Sequence, residues 1–207
     1  EIIAYANDTA GNLGSYRILV TVDNTGPDVF IVYPSDGAYV NGVVTIVFNA
    51  SDPNNVSLVE LYIDGNLRYF NNTEVRSATY TWDWNTSTEL EGNHTINVTA
   101  YDILNNVNSV EITVCVDKTA PSITITSPAN NTEFTSSSDV TIQWTASDNY
   151  ELDKFEVYLN GSLKDTLDSS ATSYTFYGLS NGYYNATVVA YDKAGNTGWD
   201  YVCLLYT

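Results

Sequence analysis

Ten asparagines in this 207-residue chain stand two positions before a serine or threonine: Asn7, Asn49, Asn55, Asn71, Asn85, Asn93, Asn97, Asn130, Asn160 and Asn185. Asn-x-Ser/Thr is the acceptor triplet for N-linked glycans, and it works only in a chain exported by a cell that has the transferase. The triplets are about twice as many as this composition would produce by chance. The alternative is a threonine-rich strand protein whose turns use asparagine. A second group is acidic. Asp23, Asp52 and Asp102 recur as Asp117, Asp148 and Asp192. Carboxylates gathered in threes suit a hard cation such as calcium, which takes about six to eight oxygen ligands. No D-x-D-x-D-G loop is present, so the alternative is a set of solvated loop acids serving as turn residues.

Catalysis has little to work with. The single histidine, His94, has no acid–base neighbour implied by spacing, and no G-x-S-x-G is present. It reads as a half-exposed histidine at a strand edge, and the chain reads as not an enzyme. Cys115 and Cys203 are too few for a zinc site. They fall in the last strands of two successive domains, farther apart than the ~7 Å Cα separation a disulfide tolerates. Both are expected to stay unpaired. Tyr80, Trp82 and Trp84 alternate along one strand and Trp144 sits in the core register of another. That leaves Trp199, Tyr62 and Tyr158 as candidate exposed rings for sugar.

These residues are positioned by a repeat. "AYDILNNVN" (100–108) returns as "AYDKAGNTG" (190–198), and "AYANDTAGN" (4–12) resembles both. "DNTGPDVFIVYP" returns as "DKTAPSITITSP", "FNASD" as "WTASD", and "VELYIDG" as "FEVYLNG". Matched phrases in one order mark a unit of about 90–95 residues, the size of one small domain. Within it, apolar residues alternate with period two: Val140, Ile142, Trp144 and Ala146, then Phe155, Val157 and Leu159, then Tyr184, Ala186, Val188 and Ala190. That is the pattern of half-buried strands. In the first repeat, strands are expected near 28–33, 43–50, 58–64, 67–70, 78–84, 93–101 and 109–116. About seven short strands between Gly/Asn/Asp/Pro turns predict an all-β chain of tandem immunoglobulin-like sandwiches. The expected domains are 23–116 and 117–207. Residues 1–22 match the last two strands of a repeat and read as the C-terminal hairpin of an upstream copy, with strand exchange between subunits as the alternative. In such a sandwich the start of the first strand and two loops share one end, which is where each aspartate trio falls.

The phrases "SPANNTEF", "WTASDNYELDKFEVYLNG", "NATVVAYDKAGNTG" and the linker "DKTAP" resemble bacterial Ig-like (Big-type) repeats of prokaryotic and archaeal cell-surface proteins. The resemblance spans nearly the whole chain. It implies an extracellular or cell-surface setting, and it leaves function open among spacer, adhesin, surface-layer subunit and enzyme accessory.

Composition narrows the partners. The net charge is -18, with 7 Lys+Arg against 25 Asp+Glu. Phosphate backbones and anionic lipid both need a basic surface, so nucleic acid is excluded as a partner. No apolar run of about 18 residues occurs, so no membrane insertion is expected in this segment. With 43% hydrophobic residues each repeat has a core to bury. The reading is a non-catalytic structural module of a secreted, archaeal cell-surface glycoprotein: a surface layer (S-layer), stalk or extracellular filament. Its partners would be neighbouring repeats or other copies of the same protein. The alternatives are an adhesin or carbohydrate-binding module, and an accessory segment of a large extracellular hydrolase. Calcium and N-linked glycans are the candidate bound groups, and no other cofactor is expected.

Overall fold

A computed structural model describes residues 1–135 and 139–207. The chain is nearly all strand. A hairpin of β1 (Ile2–Asn7) and β2 (Leu13–Ile18) comes first. The first repeat follows with β3 (Asp28–Tyr33), β4 (Tyr39–Val40), β5 (Val43–Ile63), β6 (Asn66–Asn71), β7 (Val75–Asn85), β8 (Gly92–Asp102) and β9 (Val107–Val116). The second holds β10 (Ser122–Ser127), β11 (Thr132–Phe134), β12 (Val140–Ser147), β13 (Leu152–Leu159), β14 (Ser162–Asp168), β15 (Ser173–Phe176), β16 (Gly182–Asp192) and β17 (Thr197–Tyr206). Among the described residues the one helical element is a 3-10 turn at Thr86–Thr88, capped by the Asn85 side chain.

In the second repeat a three-stranded sheet, β10-β12-β15, lies opposite a five-stranded one, β11-β17-β16-β13-β14. The residues that alternate in sequence form the layer between them. Ile142, Trp144, Phe155, Val157, Ala186, Val188, Val202 and Leu204 are all buried in one cluster. Burying such a side chain is worth about 1.5–3 kcal/mol, so the period-two pattern holds the two sheets together. In the first repeat the strands run in the order β3-β5-β8-β9-β4, with β6 and β7 also pairing with β5. In it Ile46, Phe48, Val59, Leu61, Ile63, Trp84, Ile96 and Val98 are buried.

Three features depart from the sequence expectation. The strands expected near 43–50 and 58–64 are joined as β5, which runs on through Asp52-Pro53-Asn54-Asn55, with Asn55 taking a φ of 74°. β14 carries no alternation to reveal it: Leu167 alone is half-buried in an otherwise exposed edge strand. β4 and β11 are two and three residues long, too short to show a period; each pairs in parallel with the last strand of its repeat. β13 and β14 are joined by a tight hairpin at Asn160-Gly161. Both residues take positive φ, 49° and 76°, as do Asp64 and Gly65 at 50° and 74°. Such paired left-handed residues match the twist of the flanking strands.

The backbone condenses into two compact units. One comprises Glu1–Ile31, Phe48–Tyr80 and Asn97–Glu111; the other comprises Val32–Val47, Thr81–Ile96 and Ile112–Thr207. The second unit therefore contains one end of the first repeat, the linker and the whole second repeat.

Candidate metal centres and surface sites

Each aspartate trio is assembled by turn chemistry. A short acidic side chain folds back onto nearby backbone N–H groups and closes a turn. Asp23 Oδ1 accepts from the Thr25 amide (3.0 Å) and hydroxyl (2.7 Å), and Asp117 Oδ1 accepts from the Thr119 amide (3.1 Å). Asp52 Oδ1 accepts from the Asn54 amide (2.7 Å), and Asp148 Oδ1 from the Tyr150 amide (3.0 Å). Asp102 and Asp192 each close the turn between the last two strands of a repeat. Asp192 Oδ1 accepts from the Asn196 amide (2.8 Å) and its Oδ2 from Asn196 Nδ2 (2.7 Å). Asp102 repeats both bonds with Asn106.

The three turns of each repeat meet at one end of the sandwich. Asp23, Asp52 and Asp102 each offer a carboxylate oxygen within 4.8 Å of the others, and so do Asp117, Asp148 and Asp192. Turn roles are present, as the plainer reading supposed, but four of the six acids are buried, and Asp23 and Asp148 are half-buried. Asp102 and Asp117 are 0% exposed, Asp192 2% and Asp52 4%. Burial pushes the Asp117 carboxyl up, the Thr119 amide pulls it down, and the charges of Asp192, Asp148 and Glu91 push it further up.

The trios differ in one contact. In the first, Asn54 Nδ2 donates to Asp23 Oδ2 at 2.6 Å. The phrase "FNASDPN" aligns with "WTASDNY", so Tyr150 stands at the position of Asn54. In the second trio Asp117 Oδ2 and Asp148 Oδ2 are buried with no hydrogen-bond partner. Hydrogen bonds hold the Asp23 carboxyl below its usual range, those from Thr25 first and that from Asn54 next.

The sequence reading missed Asn106 and Asn196. Their Nδ2 groups also donate to the backbone carbonyls of Asp23 (3.1 Å) and Asp117 (3.0 Å), tying the turn to the start of the repeat. The signal was an Asp-x-x-x-Asn spacing in all three related phrases. Its third copy has the same local geometry, with Asn12 Nδ2 donating to Asp8 Oδ2 at 2.7 Å.

The linker end of the second repeat is cross-tied within its compact unit. The Lys118 amide donates to Glu91 Oε1 (2.8 Å), the Thr119 hydroxyl to the same carboxylate (2.9 Å), and Lys118 Nζ to the Glu89 carbonyl (2.7 Å). Asn41 Nδ2 donates to Asn196 Oδ1, and the rings of Tyr39 and Tyr150 lie 6.0 Å apart. Gly198 packs so closely on the linker that a Cβ there would overlap the Pro121 carbonyl oxygen.

The remaining candidates are scattered. His94 is buried, not half-exposed: it packs edge-on against Trp84 at 5.6 Å, and its Nε2 lies 2.9 Å from the Leu90 carbonyl. A buried imidazole needs such a polar partner, which the chain supplies four residues upstream. Cys115 is buried and Cys203 half-buried, both as free thiols. Tyr80, Trp84 and Trp144 are core residues and Trp82 is half-buried, whereas Trp199 is 63% exposed beside Tyr201. Of the sequon asparagines, Asn7, Asn85, Asn93, Asn130 and Asn160 are exposed, and Asn49, Asn55, Asn71, Asn97 and Asn185 are half-buried. Asn97 and Asn185 alternate with buried neighbours and so face away from the core.

Tyr62 and Tyr158 are half-buried rather than free rings. Tyr158 and Tyr191 both donate to Glu156 Oε2, at 2.7 and 2.8 Å, and Lys154 Nζ donates to Oε1 at 2.7 Å. Tyr62 makes the matching bond to Glu60 (2.8 Å). Lys154, Tyr158 and Tyr191 together pull Glu156 down to about 2, and Glu156 raises Tyr158 to about 12. Glu156 is depressed on folding, so its contribution is complete above about pH 4.5, the unfolded value, and fades as pH falls through about 2. Its side chain is 14% exposed, and with solvent screening we expect about 2 kcal/mol at neutral pH. Urea titrations of Glu156→Gln against the parent should show that gap at pH 7 and its closure near pH 2. A gap independent of pH would contradict the network.

Two all-β repeats with buried apolar faces and acid-lined turns define a tandem Ig-like β-sandwich protein. The bacterial Ig domain profile matches residues 27–98 and 121–188, about two thirds of the chain, and the chain belongs to that family. Such domains are usually extracellular or surface-associated and typically non-catalytic. Among solved structures, the Clostridium thermocellum CbhA fibronectin(III)-like modules are similar, at a TM-score of 0.62 and 19% identity over 87% of this chain and 94% of theirs. Latent PorU from Porphyromonas gingivalis matches over 98% of this chain and 23% of its own at 18% identity, with a TM-score of 0.40. No curated protein matches. No helix among the described residues is long and apolar enough to cross a membrane.

Proposed function

We propose that the chain is a stiff, non-catalytic spacer in a secreted prokaryotic cell-surface protein, as part of a surface layer, stalk or filament. Repeats 23–116 and 117–207 act as its beads, and adjoining repeats or further copies of the chain are its partners. The observation that carries the reading is the linker. Residues Val32–Val47 and Thr81–Ile96 of the first repeat condense into one unit with the second repeat, cross-tied at Glu91, Asn41 and Tyr39. A Gly/Ser linker would leave the beads free to swing, whereas Pro121 is buried in the contact and fixes a backbone angle. The acidic surface and the exposed sequons at Asn7, Asn85, Asn93, Asn130 and Asn160 support an external, sugar-bearing setting, with sequon density favouring an archaeal cell. Backbone 15N relaxation of the full chain tests the stiffness. Residues 81–96 and 122–206 should share one rotational correlation time. Two distinct times would overturn the spacer reading.

A further inference from the structure

We propose that Asp117, Asp148 and Asp192 bind a calcium ion at the start of the second repeat. This stands apart from the spacer reading and holds or fails without it. Three observations carry it. First, the three carboxylates offer oxygens within 4.8 Å of one another. Oxygens bound to one calcium ion, each about 2.4 Å from it, are at most about 4.8 Å apart, so a single ion can touch all three; magnesium keeps several waters and is usually held by one or two carboxylates, which suits a buried three-carboxylate site less. Second, Asp117 is 0% exposed, and its Oδ2 and that of Asp148 are buried without a hydrogen-bond partner. Buried acceptors are nearly always satisfied, and an orphaned carboxylate oxygen beside two further carboxylates calls for a cation rather than a proton donor. Third, none of the three has an ion-pair partner among the described residues: Lys193 is engaged by Glu151 and Lys154 by Glu156. The donors are all oxygen, which selects a hard cation over zinc or copper.

The first trio is the internal contrast. There Asn54 Nδ2 occupies Asp23 Oδ2, none of the trio's oxygens is among the buried unpartnered atoms of the described residues, and we assign no ion to it. In the second trio the ion would join the linker at Asp117 to the two turns at Asp148 and Asp192. Its binding would be felt where the repeats meet.

The test is thermal melting of the full chain after chelation, with added calcium chloride or magnesium chloride. Calcium sites in extracellular modules bind at about 0.1–1 mM. At 10 mM calcium the melting temperature of the second repeat should rise by about 10 °C, and magnesium should give much less. Asp148→Asn keeps an oxygen for the Tyr150 amide but removes the charge, so it should fold and lose the shift. Asp153→Asn makes the same charge change on an exposed acid and should keep it. No calcium shift, an equal shift with magnesium, or a full shift in Asp148→Asn would each overturn the site.

Discussion

Asn196→Ala is expected to lower the stability of the second repeat by about 3 kcal/mol in calcium-free buffer, measured by urea titration. The substitution deletes three side-chain bonds, of which the exposed one accepted from Asn41 matters least and the two made by Nδ2 matter most. Asn196 Nδ2 satisfies Asp192 Oδ2 at 2.7 Å and the Asp117 carbonyl at 3.0 Å. Asp192 is only 2% exposed, so water cannot replace the lost donor. A buried charged acceptor left short of a partner carries most of its desolvation penalty, about 1.5–3 kcal/mol, with a smaller amount for the carbonyl. Asn106→Ala should cost about as much in the first repeat, because Asp102 is 0% exposed and Asn106 makes the same pair of bonds. Asn12→Ala should change little, since Asp8 is exposed and solvent substitutes for the amide. The three copies thus separate burial from motif. Equal losses at all three positions would mean that the local turn, and not the buried carboxylate, sets the energy.

The same clasp marks how far the residues could be read without coordinates. The repeat and the period-two alternation suffice for the two sandwiches, because a strand with one buried face must write that face into every second residue. The trios were legible for a related reason. Aspartates at matching places in two repeats fall on the same turns, and sandwich topology brings those turns to one end. What the sequence did not reveal depends on contacts across strands. Glu156 meets Tyr191 because β13 and β16 pair with Lys154 opposite Tyr191. A single chain does not state that register. His94 gave no sign that Trp84 and the Leu90 carbonyl would enclose it. Asn54 and Tyr150 occupy equivalent turns, yet only the first reaches its neighbouring carboxylate. A difference in side-chain reach of that kind separates the two trios, and alternation carries no information about it.

Trp144→Ala should be the most damaging single change in the second core, at about 4 kcal/mol, whereas Trp144→Phe should lose only about 1 kcal/mol. Trp144 is 2% exposed and meets Phe155 edge-on at 5.5 Å, between the two sheets. Truncation to alanine removes that contact and leaves a cavity that paired strands cannot close. The phenylalanine variant keeps a ring against Phe155. It also removes Nε1, which is buried without a hydrogen-bond partner, so part of the lost packing is offset by relief of an unpaid desolvation. Trp84 provides the comparison. It is equally buried, but its Nε1 donates to Glu89 Oε1 at 3.3 Å, so Trp84→Phe loses a bond along with ring area and should cost about 2 kcal/mol. Urea titrations of the four proteins, parent included, decide the matter. If Trp144→Phe costs as much as Trp84→Phe, the indole N–H of Trp144 has a partner in solution, and a bound water at the core edge would have to supply it.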